Sequence, residues 1–350
     1  MKLRSIKAVD IFCGAGGLSH GLIKGGVQVV EGYDFDKDCK FAFEKNNMAA
    51  FFNADVRKIK GSDLNFKAQK GDIRMIAGCA PCQPFSSYSQ KKDYRFDNKW
   101  GLLKEFSRII LEARPEVVAM ENVPNLRNHS VYDRFLSSLR KSGYKISEYT
   151  VFCPDYGIPQ RRKRLVVLAS LIGKIDLIPP THEPARYRTV RDTIQNLPSL
   201  RAGESNHKDP LHKASRLSPT NLSRIRASKP GGTWRNWKKS LVANCHKKTT
   251  GAKYPSVYGR MEWDKPSPTM TTLCFGFGNG RFGHPEQDRG ISLREAALLQ
   301  TFPKTYEFTP PKEAIKMTKV GEWIGNAVPV SIGKVIAKSV CEFLSKNPRT

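Results

Sequence analysis

VDIFCGAGGLSHGL (residues 9–22) carries an apolar, strand-like run into a turn holding Gly14, Gly16 and Gly17 and then into a segment with helical spacing. Glycines between a strand and a helix let the backbone approach a ligand and aim the first helical N–H groups at it. Taken alone, such a turn suits many nucleotide-binding α/β proteins, a nicotinamide dehydrogenase among them.

The flanking sequence sets the fold class. Strands are expected at IKAVDIF (6–12), VQVVEG (27–32), IRMIAG (73–78), EVVAME (116–121) and RLVVLAS (164–170). Between them LLKEFSRIILEA (102–113) has apolar residues at helical spacing and stops at Arg114-Pro115, and VYDRFLSSLRKSG (131–143) closes on Gly143. Continuous apolar strands alternating with helices predict an α/β fold: a doubly wound, mostly parallel, Rossmann-like sheet covered on both faces. Further on, Ser292 and Glu295 have capping-box spacing at the start of SLREAALLQTFP (292–303), and VSIGKVIAKSVCEFLSK (330–346) reads as a last amphipathic helix.

Acidic residues follow the glycine turn at telling distances. In EGYDFDKD (31–38), Asp34 ends the second strand about twenty residues on, where a carboxylate can accept from ribose hydroxyls. Phe35 offers a stacking face for a purine, and Asp55 in NADV (53–56) is placed to accept from an exocyclic amine. A nucleoside cofactor follows, and the spacing alone does not separate NAD from S-adenosylmethionine.

The 350 residues include 59 Lys and Arg against 32 Asp and Glu, a net charge of +27. Such an excess favours a polyanionic partner through counterion release, without naming a chemistry. Hydrophobic residues at 39% suffice for a core, and no run approaches the roughly 18 apolar residues of a membrane helix. The start, MKLRSIKAVDIF, lacks the long apolar stretch and cleavage site of a signal peptide, so an intracellular setting is expected. Eight scattered cysteines without framework spacing fit a reducing compartment.

From about 179 to 290 the texture changes to Pro, Ser, Asn, Gly and Trp, with 20 Lys and Arg against 8 Asp and Glu. Helical periodicity is weak there, but Trp234, Trp237, Tyr254, Tyr258 and Trp263 supply anchors that disordered segments lack. A separate, loop-rich, basic lobe is expected.

Cys79-Ala80-Pro81-Cys82, in GCAPCQPFSSYS (78–89), admits three chemistries. A redox dithiol would open a helix, yet Pro84 follows at once and SSYSQKKDYRFDNKWG (86–101) is polar and charged. Zinc would need a second pair at ligand spacing, which Cys13, Cys39, Cys153, Cys245, Cys274 and Cys341 do not form, so no metal is expected. What remains is one nucleophile at the carboxyl end of a parallel strand, the edge where doubly wound sheets bind ligands. Cys82 is the candidate, because Cys79 lies nearer the strand and is expected to pack.

DIFCGAGG, GCAPCQPFS, MENV, GIPQRRKR, SLREAALLQTFP and GNAVP stand in the order found in DNA (cytosine-5) methyltransferases and span residues 10–329. The chain resembles a bacterial modification methylase, and six motifs in order make the match specific where one would be weak. The resemblance implies transfer of a methyl group from S-adenosylmethionine to C5 of a cytosine flipped out of duplex DNA, through a covalent bond from Cys82 to C6. Glu121 of MENV would relieve charge at ring N3, Asn122 would order the loop, Arg164 would grip cytosine O2 and brace Glu121, and Arg162 would hold a phosphate or the closed loop. The thiol's ordinary pKa, roughly 8.5, calls for a cationic neighbourhood around Cys82. QRRKR (160–164) also reads as a nonspecific phosphate patch.

By the same resemblance the cofactor would be held by Phe12, Gly14, Gly16 and Gly17 of the turn, by Asp34 and Phe35, by Asp55 and Val56, by Pro81, and from the far end by Asn326 and Val328. Relatives carry Glu and Trp where this chain has Asp34 and Phe35, which implies a weaker hold on the same cofactor. DNA contacts are expected from Ser86, Ser87, Tyr88, Arg162, Arg235, Thr269 and Thr271, with PGGTWRNWKK (230–239) and SPTMTTLCFGFGNGR (267–281) as major-groove loops. Trp234 and Trp237 equally suit that lobe's small core.

The implied organisation is a catalytic, cofactor-binding domain of 1–178 plus 320–350 and a target-recognition domain of 179–319, its DNA-reading part about 179–290. Double-stranded DNA is the expected partner, beside a cognate restriction endonuclease that forms no stable complex, for a monomer expected in a prokaryotic cytoplasm and associated with the nucleoid. The competing functions are cytosine-5 methylation of tRNA, a DNA-binding protein without catalysis, which intact Cys82, Glu121 and Arg164 argue against, and a nicotinamide dehydrogenase.

Overall fold

In the computed structural model, which describes residues 5–81 and 101–347, Ile6–Ile11 forms strand β1 with Ala8, Val9 and Ile11 fully buried. Regular elements follow as α1 (Gly17–Lys24), β2 (Gln28–Asp34), α2 (Lys40–Asn47), β3 (Ala50–Asn53), β4 (Ile73–Gly78), α3 (Leu102–Ala113), β5 (Val117–Asn122), α4 (Ser130–Lys141), β6 (Lys145–Phe152) and β7 (Lys163–Ser170). Beyond the strands come α5 (Val190–Ile194), α6 (Pro219–Arg226), α7 (Asn244–Lys247), α8 (Thr249–Ala252), α9 (Leu293–Leu299), α10 (Met317–Asn326) and α11 (Val330–Lys346).

Among the described residues, seven strands make one sheet in the order β3-β2-β1-β4-β5-β7-β6. Strands β3, β2, β1, β4 and β5 pair in parallel, and β7 runs against both β5 and β6. This is the expected doubly wound, mostly parallel α/β sheet, with β6 and the reversed β7 added to it. After β1 the chain builds β2 and β3 to one side and then returns to place β4 on the other. The carboxyl ends of β1 and β4 therefore flank a topological switch point, where open α/β sheets hold ligands.

Alternation along β1 shows how both faces are covered. Val9 and Ile11 join one apolar cluster with Phe106, Ile109 and Ile110 of α3 and Phe135, Leu136 and Leu139 of α4. Asp10, one step out of phase, points to the opposite face, where its Oδ2 accepts a 2.6 Å hydrogen bond from Ser19 of α1. Helix α11 packs on α1 with no side chain between them at the closest point. A methyl group added to Gly21 would lie 2.0 Å from the Val330 carbonyl oxygen and 2.7 Å from the Gly333 Cα. The two glycines are what permit that crossing.

Two compact units form from the described residues: one within 1–156, 163–181 and 327–350, the other within 157–162 and 182–326. The sequence-based boundary at 320 lies inside α10, which groups with the second unit. That second unit has little regular structure and relies on buried polar groups. Arg260, 5% exposed, donates to the carbonyls of Ile225, Ser228, His284 and Gln287. Arg289 and Glu295 form a fully buried pair at 2.7 Å, and Ser292 caps α9 in the expected box with Glu295. Trp234 and Trp237 are 8% and 7% exposed, and Trp234 stacks on His246 with centroids 4.4 Å apart. Of the two readings of PGGTWRNWKK, its tryptophans are core, while Arg235, Lys238 and Lys239 remain exposed.

Candidate active site

Beyond β1 the backbone bends sharply: Phe12, Gly14 and Gly16 all have positive φ, at 64°, 50° and 91°. The N–H groups of Phe12 and Cys13 both donate to the Tyr33 carbonyl, at 2.9 and 3.1 Å, which ties the turn to the end of β2. Asp34 completes the tie. Its Oδ2 accepts the Gly14 N–H at 2.8 Å and its Oδ1 accepts the Asp36 N–H at 2.8 Å. Burial pushes the Asp34 carboxyl above the usual carboxylate range, against the lowering effect of those two N–H donors.

Among the described residues nothing lies within 4 Å of a Cβ built on Gly14, and Phe35 presents a ring that is 77% exposed. Gly17, buried, starts α1 directly behind the turn. Val56 is buried, whereas Asp55 caps a short turn and holds the Arg57 guanidinium, Nη2 to Oδ2 at 2.6 Å. That guanidinium keeps the Asp55 carboxyl below its ordinary range. Beneath the turn lies Asp10, which burial pushes up to about 7 against the hydrogen bond from Ser19. Sequence reasoning passed over Asp10, although an acid inside a continuous apolar strand is its own signal.

A second cluster sits at the ends of β4 and β5. The parallel register pairs Gly78 with Met120, so the next step sets Cys79 beside Glu121 and the one after sets Ala80 beside Asn122. The Cys79 thiol donates to Glu121 Oε2 at 2.9 Å, and Asn122 Nδ2 donates to the Ala80 carbonyl at 3.0 Å. Asn122 Oδ1 in turn accepts the Val123 N–H at 2.8 Å. Arg164 arrives from the reversed strand: β7 pairs Leu165 with Asn122, and Arg164 reaches diagonally to place Nε 2.8 Å from Glu121 Oε1. That contact is a close ion pair rather than an aligned hydrogen bond, since among the described residues Oε1 finds no donor with hydrogen-bond geometry. Glu121 is 2% exposed and Asn122 is 1% exposed.

The sheet thus brings Gly14, Asp34, Glu121, Asn122 and Arg164 to one edge, with half-buried Pro81 following the Cys79–Ala80 step. Cys82, Ser86, Ser87 and Tyr88 lie outside the described residues. Cys79, expected only to pack, is half-exposed and bonded to Glu121, because strand register, invisible in a linear reading, sets the two side by side. The remaining sequence-derived residues are described within their own units. Arg162 belongs to the second unit, is 5% exposed, and donates from Nη1 to the Met270 carbonyl at 3.1 Å. The same nitrogen also donates to Gln160 Oε1 at 3.5 Å. Thr269 donates to the Arg161 carbonyl at 3.0 Å, Thr271 is half-buried, and Arg235 lies over Trp234 while donating to the Ala252 carbonyl at 2.8 Å. Asn326 is exposed in the second unit and Val328 is buried in the first. Among the described residues no group of His, Cys, Asp and Glu could hold a metal ion.

Known proteins resemble this chain in sequence and in fold. The family described as C-5 cytosine-specific DNA methylase matches residues 6–342. The type II methylase M.HgiDII of Herpetosiphon aurantiacus is 52% identical over 339 residues, covering 96% of this chain and 95% of that protein. The type II methyltransferase M.Eco47II of Escherichia coli is 30% identical, with 97% and 79% covered. In three dimensions, a prophage-encoded E. coli protein described as a DNA modification methyltransferase superposes with a TM-score of 0.73 at 20% identity, over 97% of this chain and 100% of that one. With the family spanning nearly the whole sequence, the chain belongs to the C-5 cytosine-specific DNA methylases and is a DNA cytosine-5 methyltransferase.

Proposed function

We propose that this methyltransferase works through a covalent adduct between Cys82 and C6 of a cytosine flipped out of duplex DNA, using S-adenosylmethionine, as the modification member of a type II restriction–modification pair. The observation that carries the reading is the buried Glu121 carboxyl, held by Arg164 and Cys79 at the strand end from which position 82 follows.

The chemistry follows from what cytosine lacks. Its C5 is a poor nucleophile until a thiolate adds across C6. When the Cys82 sulfur bonds to C6, electrons of the C5–C6 double bond move into the ring and N3 takes a proton from Glu121. The N3 lone pair then returns its electrons, and C5 bonds to the methyl carbon as the donor's carbon–sulfur bond breaks. Transfer of the C5 proton to water re-forms the double bond and expels Cys82 as thiolate, and N3 gives its proton back to Glu121. Arg164 positions the carboxyl and meets the developing charge on cytosine O2, and Asn122 holds the Ala80 peptide two residues before the nucleophile.

S-adenosylmethionine, when bound, supplies an electrophilic methyl group on a sulfonium. The residues present fit it: the open space before Gly14, the carboxylate of Asp34 and the exposed ring of Phe35 suit a nucleoside with an aliphatic tail. Flipping the base costs a few kcal/mol of stacking and pairing, which contacts from Ser86, Ser87 and Tyr88 and from Arg235, Thr269 and Thr271 of the basic unit would offset. Arg162, seated on Met270, would brace the segment 157–162. A monomer in the bacterial cytoplasm, paired functionally with a cognate endonuclease, completes the reading. No helix of the described residues is long and apolar enough to cross a membrane.

A duplex carrying 5-fluorocytosine tests this directly, since fluorine at C5 blocks release and freezes the adduct. The native protein should form a denaturation-resistant complex with such DNA and Cys82→Ser should form none, while both bind the duplex. Normal methylation by Cys82→Ser, or methyl incorporation into tRNA in place of DNA, would overturn the proposal.

A further inference from the structure

We infer that Cys79 is a positioning residue for the methyl-transfer reaction: its thiol holds the second oxygen of Glu121 and fixes the plane in which that carboxyl meets the base. The inference rests on the role proposed above for Glu121 and extends it to a residue three positions ahead of the nucleophile.

Strand register makes the contact unavoidable. Gly78 pairs with Met120 in the parallel β4–β5 ladder, so the following residues, Cys79 and Glu121, project from neighbouring strand ends on the same side. The sulfur lies 2.9 Å from Glu121 Oε2, a separation ordinary for an N–H donor and short for the larger sulfur atom. On the other side Arg164 Nε is 2.8 Å from Oε1. Each carboxyl oxygen is therefore held by a different group, and the 2% exposure of Glu121 leaves water little access to replace either.

The chemical difference between the two partners matters for a group that must pass a proton to and fro. A second guanidinium on Oε2 would hold the group as a carboxylate and oppose its protonation. A thiol is a weak donor on a rotatable bond. It orients Oε2 and leaves that oxygen's other lone pair for exchange with ring N3. Cys79 touches no reacting atom in this scheme and acts through Glu121.

The experiment compares Cys79→Ala, Cys79→Ser and Glu121→Gln in the full-length protein. Single-turnover adduct formation on a 5-fluorocytosine duplex is read beside Kd for that duplex and Kd for S-adenosylmethionine. Cys79→Ala should slow adduct formation about ten-fold, the effect of one hydrogen bond to a charged group, with both Kd values unchanged, and Cys79→Ser, which restores a donor, should recover most of the loss. If the alanine variant fails to fold, Cys79→Val, near cysteine in volume and without a donor, is compared with serine instead. An unchanged rate in Cys79→Ala, a serine variant as slow as alanine, or Kd values that move with the rate would overturn the inference. Glu121→Gln separates the two layers: at parental rate it removes the proposed role of Glu121 as well, whereas a slow Glu121→Gln beside a normal Cys79→Ala removes only the role of Cys79.

Discussion

Arg164 on the reversed strand β7 places its Nε 2.8 Å from Oε1 of Glu121 on β5, with the two side chains only 11% and 2% exposed. Removing one partner of a buried pair leaves the other charge without compensation, which costs about 3 kcal/mol or more. Arg164→Ala is expected to lose stability on that scale in urea unfolding and to methylate DNA far more slowly. Arg164→Lys keeps the charge without the fixed guanidinium plane, so it should fold and still be slow. A lysine variant with parental turnover would contradict the geometry.

Asp34 accepts from the N–H groups of Gly14 and Asp36 with different oxygens. Asparagine has one acceptor oxygen where Asp34 uses two, so Asp34→Asn must release one of those donors. We expect roughly ten- to hundred-fold weaker binding of S-adenosylmethionine, the equivalent of about 1.4 to 2.8 kcal/mol, by titration calorimetry. Cys82-dependent adduct formation at saturating cofactor should be nearly unaffected.

Asp10 makes the first unit sensitive to pH. Its folded-state pKa, raised from 3.8 to about 7 by burial, means that the folded protein holds this proton more tightly than the unfolded chain. The associated stability is present below about pH 4 and is lost as pH rises through 7. Asp10→Asn keeps an acceptor for Ser19 and cannot ionise. In urea unfolding it should match the parent at about pH 4 and gain an advantage on the order of 4 kcal/mol by about pH 8.5, at 1.36 kcal/mol per pKa unit. A variant with the same pH profile as the parent would refute this assignment.

Glu295 gives the second unit the opposite dependence. Burial would raise its carboxyl, but hydrogen bonds from Arg289 prevail and bring it down from 4.5 to about 2. That stability is present above 4.5 and lost as pH falls toward 2. Nearby His284 is pushed down to about 4 by burial and is neutral at physiological pH, so it does not replace Arg289 as counter-charge. Glu295→Gln should cost about 3–5 kcal/mol at neutral pH, read as loss of the cooperative unfolding transition and early proteolysis within 182–326. A cost below about 1 kcal/mol would be inconsistent with a buried, singly compensated arginine.

Segments with a clean apolar pattern were legible in the sequence: strands β1 and β4, continuously apolar, and helix α11, apolar at helical spacing, were read to within a residue. Strand β6 was missed because KISEYTVF mixes buried and exposed positions without a clean period. The reversal of β7 was not legible either, since apolar content carries no strand direction, and Arg164 reaches Glu121 only because of that reversal. The run QRRKR read as uniformly basic, yet Arg161 is exposed, Arg162 buried, Lys163 exposed and Arg164 half-buried. Alternation of period two was available there and was masked by identical charge. The pairing of Cys79 with Glu121 needed register, which depends on how two distant strands align.

The backbone-to-backbone crossing of Gly21 and Gly333 also sets an order of events during biosynthesis. Helix α1 is made before its mate α11, and the residues of the second unit, 157–162 and 182–326, are made between them. Until α11 has been made, the glycine face of α1 lacks its native cover, and the Gly14 turn that leads into α1 stands on an unfinished scaffold.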